Sequence, residues 1–120
     1  MSLIESIASA IATQEGFWVS GSIPQTFNNP GDLRAAPWLA APQVVNGYVK
    51  FDSPAQGIAG LFHQIALDVA RGWTLRQLIE KWAPPIDSNN TEKYLSNVMA
   101  WTNLPADQPL QELLEITKLA

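Results

Sequence analysis

Apolar residues recur at helical spacing along most of the chain and lose that rhythm in one long stretch near its start. Ile4, Ala8, Ile11 and Ala12, with Ile7 at the edge, form the stripe of a first helix that Gly16 ends. Ser53-Pro54-Ala55-Gln56 is a capping box with proline at the first helical position. Behind it Ile58, Leu61, Phe62, Ile65, Ala66 and Val69 predict an inward stripe that runs to Gly72. Thr74-Leu75-Arg76-Gln77 repeats the device, turns Leu75, Leu78, Ile79 and Trp82 inward, and meets its stop at Pro84-Pro85. Asn89 or Asn90, with Glu92 in the first turn, opens a further helix on Tyr94, Leu95, Val98 and Met99. A last helix is expected from about Asp107 to Leu119, bearing Leu110, Leu113, Leu114 and Thr117.

From Phe17 to Asp52 the chain scatters Pro, Gly and Asn instead. Only Gly47-Tyr48-Val49-Lys50-Phe51 alternates, and it predicts a small hairpin with Gln43-Val44-Val45. An irregular stretch of roughly thirty-five residues is unusual in a compact domain unless it is functional. The expected fold is α+β and mainly helical, one domain over residues 1–120, with its sheet confined to residues 43–52.

Composition narrows the chemistry. With 47% hydrophobic residues the chain can bury a core. It has no cysteine and a single histidine, His63, which removes disulfides, thiolate sites and histidine-rich zinc sites; no metal or cofactor is expected. His63 lies beside its helix's stripe, which gives it a boundary or surface place. The net charge of −4, with Lys and Arg spread singly, offers no basic stripe to nucleic acid. No apolar run is long enough to span a bilayer, and the first residues carry Glu5 without a positive n-region, so they do not read as a signal peptide. A monomer is expected.

Against this background Glu15 stands out, because the stripe of the first helix places a carboxylate in the middle of its apolar face, in the last turn. Desolvation and the negative end of the helix dipole both favour the neutral form there, as a general acid requires. The plainer alternative is a glutamate that reaches solvent or meets Arg34. Asn28-Asn29-Pro30-Gly31-Asp32-Leu33-Arg34 is the most distinctive string in the chain: it suits a tight turn, and its amides can both donate to and accept from a sugar. Arg34 could pair with Asp32 or with Glu15. Among the aromatic residues, Trp82 and Trp101 sit near helical stripes and are expected in the core. Trp18, Trp38 and Tyr48 belong to the irregular segment and suit groove walls, and Tyr94 could offer its hydroxyl to a cleft or pack as a core tyrosine.

The order of these features resembles a lysozyme-like domain. The residues that carry the likeness are Glu15-Gly16-Phe17, Asn28-Asn29-Pro30-Gly31 with Leu33, Phe51 leading into Ser53-Pro54-Ala55-Gln56-Gly57, and Trp82-Ala83-Pro84-Pro85 followed by Asn89-Asn90-Thr91 and Tyr94. The resemblance covers roughly Ile4 to Trp101, and the domain is most similar to goose-type lysozymes and lytic transglycosylases, including the compact forms of phages and bacteria. The Gly-Leu-Met-Gln and Ala-Tyr-Asn-Gly strings of soluble lytic transglycosylases are absent.

The resemblance implies cleavage of the β-1,4 bond between N-acetylmuramic acid and N-acetylglucosamine in peptidoglycan. Glu15 would be the catalytic acid, with a cleft lined by the loop from Asn28 to Arg34 and by Tyr94; with Tyr48 from the irregular segment, the candidate substrate-binding residues are Asn28, Asn29, Asp32, Arg34, Tyr48 and Tyr94. Asp32 and Asp52 are the acids of the irregular segment available as a second carboxylate, and each also suits a turn or strand end. Lytic transglycosylases manage with one glutamate and close a 1,6-anhydro ring. Such an enzyme would act in the periplasm or cell wall and reach it by phage particle, secretion apparatus or lysis. The competing expectation is a non-catalytic wall-binding or virion-structural module on the same scaffold, to which the acidic charge lends weight, because many wall-degrading enzymes are basic.

Overall fold

The computed structural model describes residues 2–87 and 89–119, with side chains as far as residue 114. Its elements in order are α1 (Leu3–Gln14), α2 (Ile23–Thr26), β1 (Gln43–Val45), β2 (Tyr48–Lys50), α3 (Pro54–Ala70), α4 (Leu75–Trp82), a 3-10 turn (Pro85–Asp87), α5 (Thr91–Thr102) and α6 (Leu110–Leu119). The protein is thus mainly helical with one small antiparallel sheet. No helix among the described residues is long and apolar enough to cross a membrane. The chain forms two compact units, one comprising Ile11–Gln64 and the other gathering the first ten residues with Ile65 onward.

In the Ile11–Gln64 unit, the hairpin pairs Gln43 with Lys50, Val44 with Val49 and Val45 with Tyr48. Asn46 and Gly47 both take positive φ, the pair of conformations that a two-residue turn needs to match strand twist. Val49 and Phe51 turn inward with Ala36, and Leu33, Trp38 and Leu39 pack on them. The preceding loop is stitched onto β2 and its continuation: the Phe51 amide donates to the Phe27 carbonyl and the Val49 amide to the Leu33 carbonyl, both at 2.9 Å. What looks irregular in sequence is therefore hydrogen-bonded as an extension of the sheet edge.

The Ser53 hydroxyl caps α3 by accepting from the Gln56 amide at 3.1 Å. Gln56 returns its side chain to the Asp52 amide at 2.8 Å, one residue earlier than the capping box predicts. The buried face of α3 is Gly57, Gly60, Leu61, Gln64, Ile65, Asp68 and Val69. It is rotated from the predicted stripe, and Ile58 and Ala66, expected inside, are exposed. The rotation has a steric cause at its first turns. A methyl at Gly57 would overlap the Asn28 carbonyl oxygen, and one at Gly60 would stand 2.9 Å from the Phe51 ring, so this glycine edge is where loop and hairpin lie against the helix.

In the other unit, Thr74 and Gln77 complete the predicted capping box of α4, whose Leu75, Leu78 and Ile79 are buried with Trp82 half-buried. Asn90 is the residue that caps α5, accepting from the Lys93 amide, and Tyr94, Leu95 and Val98 face inward. Trp101 does not follow them: it stands on the last turn of α5 beyond that buried run and is 53% exposed, contrary to the expected core position. Helix α6 begins at Leu110 rather than Asp107. The chain before it bends at residues 106–108 and is tied to the start of α4, with the Arg76 amide donating to the Ala106 carbonyl and the Leu110 amide to the Trp73 carbonyl. Leu110 is buried and Leu113 and Leu114 are half-buried, whereas the side chain of Thr117 lies outside the described residues.

Among the described residues Asp68 is the one fully buried acid, and periodicity did not single it out. Its Oδ1 accepts from Arg71 at 2.8 Å and from Lys81 at 3.0 Å, and both cations also lie over the Trp73 ring. Two partners offset the desolvation that a lone carboxylate could not survive.

Candidate functional site

Glu15 closes the first helix in a defined way. Its amide still donates to the Ile11 carbonyl at 2.8 Å, the Gly16 amide donates to Thr13 at 3.2 Å and the Phe17 amide to Ala12 at 3.0 Å. With Gly16 at φ +80°, this is a Schellman motif in which Glu15 is the C-cap, and buried Phe17 and Ala12 provide its apolar contact. The Ser22 hydroxyl pins the next turn by donating to the Gly16 carbonyl at 2.8 Å. Glu15 is half-buried, on a backbone held by these hydrogen bonds.

The Asn28 to Arg34 string is a tight turn, as its composition predicts, with Asn28 and Asp32 in the left-handed region at φ 53° and 52°. Asn28 donates its side-chain amide to the Phe51 carbonyl at 3.1 Å and remains half-buried. Asn29 does something other than bind sugar. It is 0% exposed, its Nδ2 donates to the Leu33 and Val49 carbonyls at 2.9 Å each, and its Oδ1 accepts from the Leu33 amide at 2.9 Å. Its direct substrate contact is thus corrected to a staple that holds the turn on β2. Asn29→Ala should cost about 3 kcal/mol in chemical denaturation, since it takes the Asn29 partner from the buried Val49 carbonyl and the Leu33 amide and leaves the Leu33 carbonyl with the Val49 amide alone, more than the loss of one ordinary hydrogen bond.

Arg34 reaches across the turn to Tyr48. Its Nη2 donates to the Tyr48 hydroxyl at 3.2 Å and its guanidinium sits over the Tyr48 ring at 4.9 Å, so the half-buried tyrosine and the exposed arginine form one unit. The Arg34 charge still acts on Asp32 through space. Asp32 is half-buried, with an Oδ1 that has no hydrogen-bond partner among the described residues. Burial raises its pKa above the usual 3.8, and Arg34 offsets part of that rise.

A raised folded-state pKa means that the native protein holds its proton longer than the unfolded chain does. Stability is then lost as pH rises from the ordinary aspartate range through the folded value. Asp32→Asn should therefore stabilise the protein at neutral pH and make no difference below about pH 3, where both states are protonated. Melting temperatures at the two pH values test this, and an equal effect at both would refute it.

Asp52, the other candidate second carboxylate, is exposed just before α3. The structure gathers Glu15, Asn28, Asn29, Asp32, Arg34, Tyr48 and Asp52 within the Ile11–Gln64 unit. Tyr94 belongs to the other unit and is 6% exposed, with the burial of a core tyrosine. His63 is exposed, as its position predicts, and rests on the half-buried Trp38 ring at 4.6 Å. Trp18 is 66% exposed. Among the described residues no cluster of three or more His, Asp or Glu could hold a metal ion. No protein-family model, no curated protein and no solved structure matches this chain.

Proposed function

We propose that this protein is a lysozyme-like enzyme that cleaves the glycan strands of peptidoglycan, with Glu15 as its general acid. The observation that carries the proposal is a half-buried Glu15 on a hydrogen-bonded helix C-cap, in the same compact unit as a left-handed, amide-bearing turn. The Glu15 carboxyl gives its proton to the bridging glycosidic oxygen, the C1–O bond breaks, N-acetylglucosamine leaves with that oxygen as its O4 hydroxyl, and positive charge develops on the C1–O5 pair of the muramic residue. Glu15, now a carboxylate, accepts a proton from the attacking group. In hydrolysis that group is water; in transglycosylation it is the C6 hydroxyl of the same sugar, and a 1,6-anhydro ring closes.

Of the two further acids, Asp32 is better suited than Asp52 to stabilise charge at C1, because a half-buried carboxylate is less screened than an exposed one. Arg34 and Tyr48 present a charged and stacked pair that can donate to sugar hydroxyls or the acetamido carbonyl. Digestion of purified peptidoglycan followed by mass spectrometry of the soluble fragments tests the proposal. Fragments with reducing muramic ends indicate hydrolysis and anhydro ends transglycosylation, while an undigested wall would remove the enzymatic reading.

A further inference from the structure

We propose that Trp18 is a sugar-stacking platform of the glycan-binding site, a role that rests on the glycosidase reading above. Trp18, Val19 and Ile23 are 66%, 61% and 46% exposed, three large apolar side chains within six residues. They follow Glu15 directly. The segment is not a loose loop: Val19 donates to the Gly16 carbonyl at 3.0 Å and Ser22 to the Val19 carbonyl at 3.2 Å, which folds it into two successive turns. Ser22 ties one end to Gly16, and the Gly21 amide is held by the Gln25 side chain at 3.0 Å.

The indole itself is oriented. The Phe17 ring, buried beneath, meets it edge-on with centroids 4.9 Å apart and planes at 71°. A tryptophan that is braced by a buried ring yet left in water forgoes a large gain from burial. Its occupant should have a flat apolar face ringed by polar groups. A pyranose presents such a face, with C–H bonds that meet the electron-rich face of the indole, and an N-acetylhexosamine adds an acetamido methyl for which Val19 and Ile23 offer apolar surface. Trp18 lies three residues beyond the Glu15 cap on the same hydrogen-bonded turns, which places the proposed platform on the segment that carries the acid.

The test compares wild type, Trp18→Ala and Trp18→Phe on purified peptidoglycan, and measures chitohexaose binding by calorimetry in a Glu15→Gln background. Trp18→Ala should raise KM and weaken chitohexaose binding by about tenfold with kcat nearly unchanged, and Trp18→Phe should recover part of the loss. Melting temperature should hold or rise, because the side chain is exposed. Digestion by wild type with an unchanged KM in Trp18→Ala would overturn the platform and leave the glycosidase reading standing. Wild type that neither digests wall nor binds chitohexaose would overturn both. Equal glycan affinity together with a wild-type dimer that Trp18→Ala dissociates would reassign the patch to self-association.

Discussion

Gly57→Ala should destabilise the protein by about 4 kcal/mol or more, or fold only with the Asn28 to Arg34 turn displaced. At this position on α3 a Cβ would overlap the Asn28 carbonyl oxygen, stand 2.8 Å from its carbon and come within 3.1 Å of the Pro30 ring. Two of these atoms are backbone, and the third belongs to a proline ring fixed to it, so no side-chain rotation relieves the overlap. The turn cannot simply slide away either, because the Asn28, Asn29, Leu33 and Phe27 hydrogen bonds tie it to the strand on its other side. Chemical denaturation measures the cost. A variant within about 1 kcal/mol of wild type would show that the turn and helix are not in the contact described.

Glu15→Gln should cut turnover at least about a hundredfold while leaving fold and chitooligosaccharide affinity intact, the scale expected when a general acid loses its proton. Glutamine keeps the volume and a hydrogen-bonding head, and the C-cap geometry depends on the Glu15, Gly16 and Phe17 backbone amides rather than on the side chain. Loss of activity with an unchanged melting temperature and unchanged binding therefore isolates the proton. Equal activity in the variant would remove Glu15 from the chemistry.

Much of the architecture was legible because it is written in local chemistry. The Thr74 box, the Asn90 cap, the stop at Gly16 and the alternation at Tyr48 to Lys50 each act over a few residues, and each appears where the sequence puts it. The misses share a different cause. Ile58 and Ala66 are more apolar than Gly57, Gln64 and Asp68, so periodicity turns α3 the wrong way. The winning face is set by a backbone carbonyl that needs glycine and by the Arg71 and Lys81 partners that allow Asp68 inside. Asn29 was legible as special but not in its role, because nothing local reveals that its amide is consumed by the Leu33 and Val49 backbone, residues 4 and 20 positions away. Arg34 shows the same limit, since its partner Tyr48 lies 14 residues on, across the turn.

Release of soluble muropeptides from purified peptidoglycan by wild type and Glu15→Gln at equal concentration tests most directly whether Glu15 drives cleavage of glycan strands. Release by wild type with at least about a hundredfold less from the variant is the expected result. Equal release by both, or none by a folded wild type, would contradict it.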